Sequence, residues 1–248
     1  MRKLAAVAAA LVLGMTAVSA QNERSIHAIA FDASFWNHSW MDVGKGNGSS
    51  GCDWSAFATD LAYHHLKVRE NRFSSFTDVE IGYSRFSLDA IERGEESYSI
   101  QEVYGVDSRI DINDLNGVNT RYMFGLGYAP VVTDLLMLAV HGTFGLNAAY
   151  AGNTEQLGGE FEIDQLLAGF WATAGVNVDA AFKFTGNFGV FAGINIYTNL
   201  IGFGYYQLKY PTYESYSKKW REETKRRFNL VSPGSFNIDL RLGVAFTY

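Results

Sequence analysis

From Phe236 onward the chain reads Phe-Asn-Ile-Asp-Leu-Arg-Leu-Gly-Val-Ala-Phe-Thr-Tyr, so every second residue is apolar or aromatic. In an extended strand Phe236, Ile238, Leu240, Leu242, Val244, Phe246 and Tyr248 share one face, and Asn237, Asp239, Arg241, Gly243, Ala245 and Thr247 share the other. The same period of two recurs over 188–200, where Phe188, Val190, Ala192, Ile194 and Ile196 oppose Gly189, Phe191, Gly193, Asn195 and Tyr197. Over 166–184, Ala168, Phe170, Ala172, Val176, Val178, Ala180 and Phe182 oppose Thr173, Asn177, Asp179 and Lys183. Segments 136–150 and 118–128 repeat the pattern, and 25–36, 57–69 and 76–88 also read as strands. In the last two, Leu66, Val68 and Phe86 fall out of phase, a slip that a β-bulge explains.

The connections sort by length. Segments 69–74, 129–134 and 185–187 are short, whereas 37–56, 89–117, 151–164 and 204–235 are long, and the two kinds alternate. That rhythm predicts eight strands joined by three turns at one end and four loops at the other. Composition alone admits a soluble β-sandwich or a membrane barrel, but a sandwich has no reason to gather its long loops at one end. The predicted fold is therefore all-β: an eight-stranded antiparallel up-and-down transmembrane β-barrel with short periplasmic turns and long extracellular loops. Strands of 9–11 residues suffice to cross a bilayer, and the C-terminal alternation is long enough.

Residues 1–20 are set apart from this pattern. Arg2 and Lys3 precede an apolar run from Leu4 to Val18, and Ala17-Val-Ser-Ala20 supplies small residues for cleavage before Gln21. The expected domain map is a cleaved signal peptide, 1–20, and a barrel, 21–248. Without Arg2 and Lys3, 18 basic residues face 26 acidic ones, an acidic balance that argues against nucleic acid as a partner. The single cysteine, Cys52, excludes an intrachain disulfide and is expected in the first long loop.

The C-terminal alternation ending in Phe246-Thr-Tyr248 resembles that of the small single-chain outer-membrane barrels, the OmpX, OmpW and OmpA-membrane-domain group. The resemblance implies a bacterial outer-membrane protein whose Leu240, Leu242, Val244, Phe246 and Tyr248 form the terminal signal read by the barrel-assembly machinery. Tyr248 stands where that group usually has Phe. The likeness implies a fold and a compartment, with lipid and lipopolysaccharide-like glycolipid as surroundings, but no single activity.

With Leu240, Leu242 and Val244 toward lipid, Asp239 and Arg241 face the lumen. The same parity turns Asp32, Glu80, Arg121, His141, Asp179 and Lys183 inward. An eight-stranded interior is only wide enough for side chains to fill, so these charges are expected to pair as a plug. Tyr122, Tyr128, Tyr150, Tyr205, Tyr206 and Tyr248 suit an interfacial girdle. His64 and His65 are neighbours in a strand and point to opposite faces. No local Ser–His cluster suits an acyl-handling enzyme, and His38-Ser39 is expected in a glycine-rich loop. Segment 89–117 is acidic, but Leu115 breaks its likeness to a calcium loop, and no cofactor is expected. In 217–227, Lys218, Lys219, Arg221, Lys225, Arg226 and Arg227 form a basic run, expected as a short helix that docks a host or surface polyanion. Three readings follow: a non-enzymatic surface protein that binds through its loops, a narrow channel or lateral path for small or hydrophobic solutes, and an acyl-chain enzyme.

Overall fold

In a computed structural model, residues 24–42, 50–93, 96–98, 114–156, 162–185, 187–214, 219–231 and 236–247 are described. The proposed signal peptide lies outside them. The strands are β1 (Arg24–Asp42), β2 (Ser50–Val68), β3 (Phe73–Arg93), β4 (Glu96–Tyr98), β5 (Leu115–Val132), β6 (Leu136–Gln156), β7 (Glu162–Thr185), β8 (Phe188–Glu214), β9 (Lys219–Val231) and β10 (Phe236–Thr247). Every pairing is antiparallel. β1, β2, β3, β5, β6, β7, β8 and β10 follow one another around a ring, and β10 closes it by pairing with both β1 and β8. The chain is thus an all-β, eight-stranded antiparallel barrel. β4 folds back on β3, and β9 continues the line of β10 along the upper edge of β8.

The β2–β3 and β5–β6 turns carry their own hydrogen bonds. Between β2 and β3, Arg72 adopts the left-handed conformation (φ 63°) and donates its N–H to Arg69 O at 2.8 Å. Between β5 and β6, Thr133 Oγ1 accepts the N–H of Leu136 at 2.9 Å.

The opposite end differs from the sequence expectation. β1 runs to Asp42 and β2 starts at Ser50, so His38-Ser39 and Cys52 belong to strands, not to a mobile loop. β8 extends to Glu214, and 219–231 is the strand β9, not a helix. A helix of so few residues is marginal in water, whereas the protruding edge of β8 offers a full ladder of partners, from Gly202↔Val231 to Glu214↔Lys219. Sequence alternation does not mark these wall extensions, because a strand standing clear of lipid does not require an apolar outer face. The acidic segment lies mostly outside the described residues; within them, Asp114 pairs with Arg85 at 2.6 Å.

The interior is layered. Near the turns Ile26, Leu66, Val68, Phe76, Met123, Met137 and Phe191 pack as one apolar cluster. Near the loops Trp36, Phe86, Leu115, Ile163, Leu167, Trp171 and Tyr206 form a second, with the Trp36 and Trp171 rings edge to face at 5.7 Å. This explains the apparent slip at Leu66, Val68 and Phe86. Alternation between inside and outside holds over 55–68 and 74–87, but the ends of the interior are themselves apolar, so hydrophobicity stops reporting the face. The register shift in β2 lies instead at Asp53/Trp54.

The outer surface is uneven in height. On β7, Leu166, Ala168, Phe170, Ala172, Ala174, Val176, Val178, Ala180, Phe182 and Phe184 alternate with the buried face without a polar interruption. At ~3.3 Å per residue and a tilt of ~40°, that face is roughly 45 Å tall. On β3 only Val79, Ile81 and Tyr83 separate Thr77 from Arg85, and on β2 Phe57, Leu61 and Tyr63, interrupted by Thr59, separate Ser55 from His65. The taller of those two spans roughly 15 Å.

Candidate functional site

Between the two apolar clusters lies a layer of buried charge. β5 supplies Arg121, β10 supplies Asp239 and Arg241, β1 supplies Asp32, β3 supplies Asp78 and Glu80, β2 supplies Asp60 and His64, β6 supplies His141 and β7 supplies Asp179, all buried. Each sits on the inward parity of its strand, so ladder register decides which charges meet. Asp32 lies opposite Arg241 and Glu80 opposite Arg121.

Two guanidiniums organise the layer. Arg121 pairs with Asp239 and Glu80, reaches Asp32 at 3.1 Å, and donates to the Tyr197 hydroxyl at 2.9 Å. Tyr197 in turn donates to Asp239 Oδ1 at 3.1 Å, and Asn195 donates to Oδ2 at 3.0 Å. Arg241 pairs with Asp78 and donates to Asn177 Oδ1, with Asp32 3.8 Å from its Nε. Its other neighbour is His64, whose Nδ1 lies 3.2 Å from Asp78 and whose Nε2 lies 3.4 Å from Asp179. His141 approaches Asp179 from the far side at 3.5 Å. Planar forks suit this work, since one guanidinium can serve several oxygens at once.

Glycine makes room for the layer. At Gly193, opposite Arg241, a Cβ would stand 2.8 Å from the Asp179 carboxylate. At Gly82 it would meet Asp60 Oδ1 at 2.0 Å. Aromatic rings then close the layer from the turn side, with His64 4.6 Å from the Phe191 ring and Phe76 4.9 Å from the His141 ring. The arrangement is a septum of buried charge flanked by apolar side chains.

Asp32, Glu80, Arg121, His141, Asp179, Asp239 and Arg241 come together in this septum. Lys183 does not. It is half-buried near the turns, and its backbone N–H donates to Leu135 O at 2.8 Å. Sequence reasoning missed Asp60, His64 and Asp78 as members. Their parity is the same as that of Glu80 and Ala62, but the apolar residues at the strand ends masked it. Tyr206 also departs from the girdle expectation. It is 3% exposed and donates to Gln165 Oε1 at 3.3 Å inside the barrel, whereas Tyr128 and Tyr150 are exposed outward.

In the terminal strand Leu240, Leu242, Val244 and Phe246 are exposed, and Phe246 meets Phe188 edge to face at 5.6 Å. Tyr248 lies outside the described residues. The basic run is divided by β9 itself. Arg221 and Arg226 are an odd number of positions apart, so strand geometry places them on opposite faces, and the side chains of Lys219, Lys225 and Arg227 lie outside the described residues. Lys218 lies outside the described residues, and Arg221 and Arg226 are exposed. Lys209 on β8 pairs with Glu222 on β9 at 2.9 Å, a hydrogen bond that holds its ammonium above the ordinary lysine range. Among the described residues no group of three or more His, Cys, Asp and Glu side chains is disposed to hold a metal.

No family model matches the chain. No curated protein matches it either. Among solved structures it is similar to a major outer membrane protein from Thermus thermophilus, with 13% identity, a TM-score of 0.51, and coverage of 90% of this chain and 99% of that one. It also matches the outer membrane protein OprG from Pseudomonas aeruginosa at 8% identity and a TM-score of 0.47, over 92% and 97% of the two chains. The outer membrane protease OmpT from Escherichia coli matches at 8% identity and a TM-score of 0.38, over 94% and 100%. The likeness is one of fold, and the fold is that of the single-chain outer-membrane β-barrels.

Proposed function

We propose that the chain is a non-enzymatic surface protein of the bacterial outer membrane, anchored by its barrel and binding through the strands that stand above the bilayer. The septum carries this reading. Arg121, Arg241 and the carboxylates around them are buried inside the lumen and joined by charge-assisted bonds, and an eight-stranded interior is only wide enough for side chains to fill, which supports a binding role over a conducting one. The length of the wall is consistent with it. β8 has 27 residues where about 9–11 cross a bilayer, so much of the β8–β9 hairpin is available outside it.

The partner class we assign is an anionic glycan, met by the basic side chains of the hairpin. Purified protein reconstituted in planar bilayers should give no steady ion-selective openings; such openings would overturn the reading in favour of a solute channel. Replacing Lys218, Lys219, Arg221, Lys225, Arg226 and Arg227 by Gln should lower the salt needed to elute the protein from immobilised heparin. An unchanged elution would remove the polyanion as partner.

A further inference from the structure

Among the described residues the turn end of the interior is not filled to its rim. Between β1, the turn joining β5 to β6, and the ends of β7 and β8 lies a cavity of about 260 Å³. Its lining divides by chemistry. Ile26, Met137, Ala181 and Ala245, buried members of the turn-end apolar cluster, make the floor. Around it stand Arg24 and Lys183, the Asp134 carboxylate, and the polar Ser25, Thr133 and Asn187.

The two cations are not equivalent. Arg24 is engaged by the neighbouring turn, donating to Thr133 O at 2.8 Å and pairing with Asp134 at 3.2 Å. Lys183 has no ion-pair partner among the described residues, and its main-chain N–H is already taken by Leu135 O. An ammonium without an ion-pair partner among the described residues, beside a basin with an apolar floor, answers both halves of an amphiphile: the head finds a counter-charge and the body finds an apolar surface.

We propose that this basin binds a medium-chain fatty acid, with Lys183 holding the carboxylate and the Ile26–Met137–Ala181–Ala245 floor receiving the alkyl chain. Size supports the match. An apolar cavity of about 150 Å³ accommodates benzene, so the larger basin here admits a chain of about eight carbons. Charge supports it as well. A phosphate dianion calls for several converging donors, whereas a single ammonium with no ion-pair partner among the described residues suits a monoanion. Each further methylene that the floor covers should tighten binding about fourfold, until the basin is full.

The test uses the full chain in phospholipid nanodiscs, with empty nanodiscs to measure partition into lipid. Titration of 8-fluorooctanoate followed by ¹⁹F NMR should show saturable binding beyond that control. Lys183→Met should weaken octanoate about tenfold while leaving 1-octanol unchanged, because only the charged head is affected. Ala181→Leu, which fills the floor, should abolish binding of both; if that variant fails to assemble, the Lys183→Met comparison decides. Uptake indistinguishable from empty nanodiscs, or equal octanoate affinity in Lys183→Met, would overturn the proposal.

Discussion

The septum and the β8–β9 hairpin use the same side chains to different ends. In the septum Arg121 serves Asp32, Glu80 and Asp239, and all four are at most 2% exposed in their side chains. In the hairpin Lys209 meets Glu222 at a comparable distance, yet the two are 30% and 61% exposed. Water screens the second pair and leaves it little net value, whereas the first set has no water to fall back on. A charge in this molecule matters according to what would replace its partner if the partner were removed.

That contrast can be broken most forcefully at Arg121. Arg121→Met leaves three carboxylates buried beside an uncharged chain and should destabilise the barrel by about 3–5 kcal/mol. The measurement is the urea midpoint for unfolding from lipid vesicles, and a change below about 1 kcal/mol would mean that the septum is looser than its geometry. Tyr197→Phe is a finer probe. It deletes the hydroxyl that accepts from Arg121 and donates to Asp239 but keeps the ring, whose face lies 5.3 Å from the guanidinium. The expected loss is about 2 kcal/mol in the same assay, as for hydrogen bonds to charged groups. At the small end, Lys209→Ala should cost under about 1 kcal/mol, and that cost should shrink in high salt. A larger, salt-insensitive effect would erase the distinction between the two regions.

Much of the architecture was legible in the sequence, for a physical reason. Where a strand touches lipid on one side and a polar layer on the other, hydrophobicity alternates with the backbone, and 166–184 and 236–248 are written that way. The sequence lost its voice wherever the two sides are alike. Leu66, Val68 and Phe86 enter apolar layers while their neighbours also include apolar residues, so their parity was obscured. Over 204–210 the inward Tyr206, Leu208 and Tyr210 join an apolar layer while the other face mixes Tyr205 with Gln207 and Lys209, so the alternation is blurred, and 219–231 could be told from a loop only by the partner edge it pairs with. In the septum, parity selected Asp239 with Arg241 and Arg121 with Glu80. Register across the ladders then determined that Asp78 would meet Arg241, and no local pattern carries that information. Lys183 has the inward parity but lies too near the turns to join.

The unequal heights of the β7 and β2–β3 faces bear on how the molecule sits in its host bilayer. A hydrocarbon slab of uniform thickness cannot match both sides of an upright cylinder whose greasy skirt is long on one flank and short on the other. The barrel therefore leans, or the lipids stretch against β7 and compress beside β3, and either response has a modest elastic cost. Neighbouring molecules would feel that deformation before touching, so the flank they meet first is set by the membrane itself.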